Sequence, residues 1–364
     1  MPVAQPDIQP VIRSIVDDEP VKALPPKRKT AIDYFPSGLV LSLAKPYLAG
    51  QSAQQALVIA HANFSQNQFT GTLDILGEDA QNDSDCENSV QHYIDLIDSI
   101  SGNPLPAKSL REQLSVSFKP SMFSTMAPGA ASSTSKALDD AFDRIMRVVD
   151  YGAKHNIRMT LEAEDHRWTN FQLEAYFALI NAGYTNLGTV LQTRLFRTAK
   201  DLQRFDSRMR VRLVIGIYNE PAQIAHTDKN IMKQLVVEYA QDLLGKGVYT
   251  EIASHDLKLI DNFYDTVVIP NRLSPYNFEH QFLQGVPRAK LERELVSGQY
   301  FEKFKHRNEQ SDTQFIEQLQ KEGALVRMYL PFGSAIVSGA YCRRRLIENP
   351  NMIIFGMKNF LGIQ

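Results

Sequence analysis

The chain has 364 residues, of which 43% are hydrophobic and 22% charged, an ordinary globular mix with room for two domains or one barrel of about 250 residues plus extensions. Thirty-nine Lys and Arg against 41 Asp and Glu leave a net charge of −2, so no basic field points to nucleic acid. Two cysteines, Cys86 and Cys342, exclude a disulfide framework or a zinc spacing, and no apolar run nears the ~20 residues of a membrane span.

Residues 1–28 carry Pro2, Pro6, Pro10, Pro20, Pro25 and Pro26 among mixed charges. Such a segment buries too little apolar surface to fix its own fold and reads as a loosely held arm. It lacks the charged-then-apolar pattern of a leader, which predicts a cytoplasmic protein. Between Phe35 and Ala62, the clusters Leu39, Leu41, Leu43, Ala44 and Leu48, then Ala56, Leu57, Ile59 and Ala60, predict one or two helices.

A rhythm begins after that. Strand-like runs occur at Thr72–Leu76, Leu114–Phe118, Arg158–Ala163, Leu187–Gln192, Arg212–Ile217, Tyr249–Ser254, Phe278–Leu283 and Leu325–Leu330. Helical periods lie between them: Val90, Tyr93, Ile94 and Ile97; Leu138, Ala141, Phe142 and Ile145; Met232, Leu235, Val236 and Tyr239,. The alternation predicts a parallel sheet of the α/β class, and eight strands predict a closed (β/α)8 barrel. A further helix, about Ser338 to Glu348, and a stretch Ile353–Leu361 follow. The organisation expected is an N-terminal arm with helices over 1–64 and a barrel over 65–364.

In such a barrel chemistry gathers at the C-terminal ends of strands. Candidates there are Glu78, Lys119, Glu162, Glu164, Asp165, Gln192, Arg194, Tyr218, Glu220, Ser254, His255, Asp256, Gln281, Gln284 and Tyr329. Period two puts Glu162 and Glu164 on one side of a strand, as an acid–base pair would need; no partnering motif supports a metal. The run Arg343-Arg344-Arg345 offers forks for a small carboxylate, or else a solvated face paired with Glu322 and Glu348. Adjacent helical residues point about 100° apart, so only two of the three can share one ligand. His255-Asp256 reads better as a structural or cofactor-contacting histidine than as a dyad. No GxGxxG or P-loop occurs, so a dinucleotide would have to sit on the barrel mouth.

The blocks LDILGE (73–78), SVSFKPS (115–121), VLQTRLFRTAKDL (190–202), LVIGIYNEP (213–221), ASHD (253–256), FEHQFLQGV (278–286), VRMYLPFG (326–333) and RRLIENP (344–350) together resemble the proline dehydrogenases. The resemblance covers roughly residues 65–355. It implies a distorted (β/α)8 barrel with its last helix over the mouth, non-covalent FAD, and oxidation of L-proline to Δ1-pyrroline-5-carboxylate by hydride transfer from ring C5 to flavin N5. It further implies that Arg344, Arg345 and Lys119 hold the substrate carboxylate. Tyr329 and Tyr341 then wall the ring, Tyr218 closes the site and Leu283 packs on the ring's apolar face. Toward FAD it implies Arg212, Val214, Gly216, Glu162, Gln192, Gln281, Ser254, His255 and Asp256, with Arg345 and Glu348 at the ribityl or adenosine end.

This sequence departs from the family pattern at several points. Ile215 replaces the customary lysine of the VKGAY motif and Ile217 its alanine; Glu162 stands for the usual aspartate, Arg194 for a tyrosine and Phe332 for the tyrosine of a PYG turn. The family also implies a quinone-type electron acceptor met at a membrane surface. The end at Gln364 suggests no aldehyde dehydrogenase module. Alternatives are a biosynthetic role of the carbapenem-antibiotic kind, a modified proline as substrate, or a non-catalytic imino-acid-binding homologue.

Overall fold

Eight short runs, each preceded or followed by an amphipathic helix, fold as the alternation predicts. The computed structural model describes residues 30–77, 80–129, 135–305 and 312–348; for Arg344, Arg345 and Glu348 it describes the helical backbone alone. The arm before Thr30, Glu78 and the stretch 353–361 lie outside the described residues. The strands are β1 (Thr70–Ile75), β2 (Ser115–Phe118), β3 (Arg158–Leu161), β4 (Leu187–Gln192), β5 (Arg210–Val214), β6 (Tyr249–Ala253), β7 (Phe278–Leu283) and β8 (Val326–Phe332). They pair in parallel, each with its sequence neighbour, and β8 closes on β1. The expected closed (β/α)8 barrel is present.

Two helices precede the barrel, α1 (Ser37–Ala44) and α2 (Ala53–Asn67). Between and around the strands run α3 (Asp83–Ser101), α4 (Ser135–Lys154), α5 (His166–Asn181), α6 (Thr198–Asp201), α7 (Lys229–Gly245), α8 (Leu257–Phe263), α9 (Ala289–Ser297) and α10 (Thr313–Glu322). The last helix is α11 (Ala335–Glu348). Several start on side-chain caps that satisfy their first N–H groups: Asn82 for α3, Asp165 for α5, Asp228 for α7 and Asp256 for α8,.

The apolar core lies between strands and helices, where outward residues such as Leu161, Leu213 and Phe282 meet Leu173, Ile260 and Phe263. Ala56, Leu57, Ala60 and Phe64 of α2 join it beside β1 and β8. A second cluster joins Ile32, Val40, Ala44 and Tyr47 to Leu76, Tyr341, Cys342 and Leu346 of α11. The barrel interior is different. Instead of the branched apolar residues common in such barrels, it holds charge.

Strand five differs from its expected bounds, 212–217. It begins two residues earlier, at Arg210, and ends at Val214. Gly216 has φ +94, which ends the extended run, and Ile217 faces solvent,.

Candidate active site

Alternate residues of each strand send side chains inward, so the interior is built in layers. The layer nearest the N-terminal ends is an ion network, in which Glu251 Oε2 is left without a hydrogen bond. Arg327 Nε donates to Glu279 Oε1 at 2.6 Å, and its remaining donors meet the carbonyls of Gly71, Gln113 and Arg111 and the Ser115 hydroxyl. Arg210 pairs with Glu251 at 2.5 Å and donates to Thr160 and the Met159 carbonyl.

Nearer the C-terminal ends the layer opens. Lys119, one residue beyond β2, donates to both oxygens of Asp74 at 2.8 and 2.9 Å. An ammonium has three donors, so one N–H remains. Burial pushes the Asp74 carboxyl up, and Lys119 and the Tyr329 hydroxyl pull it back. Burial also pulls Lys119 down, but Asp74 more than restores it, and the lysine stays charged. Beside this pair, Glu162 accepts from Arg212 Nη1 and from the Ser117 hydroxyl, both at 2.5 Å. Burial raises the Glu162 carboxyl, yet Arg212 and Ser117 outweigh it and hold the group below its ordinary range. Arg212 Nε lies 3.5 Å from Glu251, and its guanidinium carbon sits 5.3 Å from the centre of the Tyr329 ring. Burial keeps the Tyr329 phenol neutral, far above its ordinary value.

The strand ends from β4 to β7 form the other wall. Gln192 donates through Nε2 to the Glu164 carbonyl at 2.8 Å, and Gln281 to Glu279 at 2.7 Å. Each amide therefore offers its carbonyl oxygen to a ligand. Val214 ends β5, half-buried. A Cβ on Gly216 would stand 2.6 Å from Gln192 Oε1, so only glycine lets the backbone lie against that amide. His255 Nε2 accepts from the Leu283 N–H at 3.2 Å, which places the ring proton on Nδ1, and that buried Nδ1 has no partner,. Burial, assisted by Arg288, lowers this histidine to about 4, so the ring is neutral. Ser254 accepts from the Asp256 N–H at 3.2 Å; Asp256 caps α8 and pairs with Lys233 at 2.5 Å. In the ASHD block, His255 is thus the member with an unused donor.

One expectation changes here. Glu162, Glu164 and Asp165 do not cluster: β3 ends at Leu161, so period two stops before them. Glu164 accepts from the Ser121 N–H and hydroxyl, and Asp165 caps α5 and pairs with Arg167. Arg194, a departure from the family pattern, donates to the Tyr218 carbonyl and so ties the loop after β4 to the loop after β5. That loop is also fixed by Glu220, which meets His166 Nδ1 at 2.6 Å.

The helix α11 crosses above. Tyr341 is buried on it and stands close enough to Lys119 and Tyr329 to act on both electrostatically. Arg344, Arg345 and Glu348 share the helix, their side chains outside the described residues. Leu283, at the end of β7, packs against the cluster that holds Tyr341.

A family model described as proline dehydrogenase matches residues 59–355. The chain belongs to the proline dehydrogenase family. A proline dehydrogenase of Deinococcus radiodurans is 28% identical over 323 residues, covering 88% of this chain and 90% of that protein. Proline dehydrogenase 2 of Bacillus subtilis is 30% identical over 222 residues, which span 61% of this chain and 64% of that one. Among solved structures, proline utilization A of Bdellovibrio bacteriovorus, inactivated by N-propargylglycine, superposes with a TM-score of 0.67 at 20% identity. The match covers 85% of this chain and 33% of that larger one, and speaks to the fold. As a member of the family the chain is an oxidoreductase scaffold whose mouth carries the charged groups just described.

Residue reasoning gave no role to Asp74, Ser117 or Glu251. Asp74 stands in the LDILGE block, 45 positions from the lysine it holds. A carboxylate in the middle of an apolar strand was the available signal, since such a group is rarely buried without a partner.

Proposed function

We propose that the mouth binds L-proline, or a close cyclic imino acid, by its carboxylate and oxidises it to Δ1-pyrroline-5-carboxylate with FAD as resident cofactor. Electrons then pass to a quinone-type acceptor. One observation carries the reading. In a chain of this family, the Lys119–Asp74 pair, Tyr329 and Tyr341 converge beneath the helix that bears Arg344 and Arg345.

The residues fit a flavin on one count: the buried Nδ1 donor of His255 lacks a partner. His255, Arg212, Val214, Gly216 and the amide oxygens of Gln192 and Gln281 would hold it, with Glu162 fixing Arg212. Ser254 and Asp256 shape the His255 loop, and the family resemblance adds Arg345 and Glu348 at the ribityl or adenosine end. When bound, FAD supplies the two-electron oxidant that accepts hydride from the substrate ring.

The chain's own residues bind and orient. The remaining N–H of Lys119 and the two arginines clamp the carboxylate, and Asp74 keeps the lysine charged inside a dry site. Tyr329, Tyr341, Leu283 and Tyr218 give a slot of ring size that excludes water. As hydride leaves C5, the lone pair of the neutral substrate nitrogen forms the C=N bond, so no protein base is needed at carbon. Glu162 is no such base, because Arg212 holds it ionised and paired.

Anaerobic addition of L-proline to the purified protein tests this. Bleaching of the flavin absorbance is expected; an unchanged spectrum in flavin-loaded protein would contradict it.

A further inference from the structure

Of the three adjacent arginines, the one left over has a different partner. Arg343 Nη1 donates to the Ile32 carbonyl at 2.7 Å, and Nη2 donates to the Phe35 carbonyl at 2.7 Å. Those carbonyls belong to the 3-10 turn Ala31–Tyr34 and the residue after it, some 300 positions away in the chain. A planar fork suits two carbonyls at once, whereas an ammonium is a point charge.

The segment so gripped is a strap, residues 31–47, made of that turn, α1 and the turn Lys45–Tyr47. Its apolar side, Ile32, Val40, Ala44 and Tyr47, packs on Tyr341, Cys342 and Leu346 of α11. Its other flank meets the loop after β7. Gly285 has φ +81, and a Cβ there would stand 2.1 Å from the Pro46 carbonyl oxygen. The strap is therefore wedged between α11 and that loop, with Leu283 and Val286 packed on the same cluster. At its own start α11 is tied to β8 by Ser338, whose hydroxyl donates to the Gly333 carbonyl at 2.8 Å. Its later turns carry Tyr341, Arg344 and Arg345, and the fork of Arg343 is a polar tether there.

We infer that Arg343 is a positioning residue: it clamps the N-terminal strap to α11 and so sets the height of Tyr341 and the neighbouring arginines over Lys119. The inference rests on the substrate site proposed above. It assigns the arginine run two tasks, with one fork turned to the protein's own backbone and two left for a carboxylate. Releasing the clamp leaves the chemistry untouched but lets the recognition helix drift, so the loss falls on substrate binding.

Steady-state kinetics of the flavin-loaded full chain, with hydrogen exchange, tests this. Arg343→Met should raise KM for L-proline roughly tenfold, as loss of a paired hydrogen bond does, with kcat within about twofold. Arg343→Lys should recover part of the loss by reaching one carbonyl. Val40→Ala, which loosens the strap without touching Arg343, should shift KM in the same sense. In the Arg343→Met protein, backbone amides of 31–47 and 335–348 should exchange faster than in wild type. Wild-type KM in both Arg343→Met and Val40→Ala, or unchanged exchange over those two segments, overturns the inference. Wild-type protein inert toward L-proline would instead sink the functional reading, and exchange would still decide the clamp.

Discussion

The lower and upper layers of the barrel interior use the same residue types and differ in what they leave unused. Below, each donor of Arg327 ends on Glu279, a hydroxyl or a backbone carbonyl, and Arg210 is spent on Glu251, Thr160 and Met159. Above, Lys119 keeps one N–H and His255 keeps Nδ1. Charge inside a barrel is thus a poor marker of a site. Unsaturated charge is a better one, because a buried donor without a partner is costly unless a ligand completes it.

Breaking each layer should give opposite phenotypes. Arg327→Met strips Glu279 of its main partner in a fully buried place and should lower stability by about 3–5 kcal/mol, read by denaturant unfolding, with KM for proline unchanged in the folded fraction. Lys119→Met should cost less stability, since burial pushes the Asp74 carboxyl up and a carboxyl left without its lysine can take up a proton. Its loss belongs to kcat/KM, which should fall about a hundredfold or more. If both variants lost stability alone, the upper layer would be scaffold too.

Acid sensitivity sharpens the same contrast. Burial holds His255 at about 4 and His280 at about 3, so both are neutral when folded. Burial raises Glu292 to about 7. Between about pH 6 and 5 the unfolded chain holds nearly two histidine protons that the folded chain lacks, while the folded chain holds one on Glu292 that the unfolded chain mostly lacks,. From these groups stability should fall by about 1.4 kcal/mol per pH unit as pH drops through that window. Glu292→Gln removes the opposing proton and should about double the slope, which urea titrations at several pH values measure.

The smallest effect is expected at the left-handed glycine after β5. Gly216→Ala should cost about 1–3 kcal/mol of backbone strain and loosen flavin retention, seen as colour lost on dialysis.

Much of the fold was legible because outward strand faces and helix stripes are apolar; β4 and β7 fall on their expected bounds. Strand five was misread because its inward residues Arg210 and Arg212 break the apolar run, while Val214-Ile215-Gly216-Ile217 prolongs it beyond the true end. The candidate site residues follow from motif resemblance rather than from chemistry of neighbours. Asp74 and Lys119, or Glu162, Ser117 and Arg212, meet across strands far apart in sequence, and spacing carries no trace of that. The division of labour within the arginine run was equally hidden, since Arg343 is distinguished by two carbonyls near the opposite end of the chain.

The most direct measurement of the central claim is a titration with tetrahydro-2-furoic acid, a ring carboxylate without the amine. On the function proposed above, the unused donors of the upper layer recognise a carboxylate and the tyrosines a ring, while C=N formation requires nitrogen. The compound should compete with L-proline and shift the oxidised flavin spectrum without bleaching it, and Lys119→Met should weaken its binding. No shift and no competition at millimolar concentration would contradict the account.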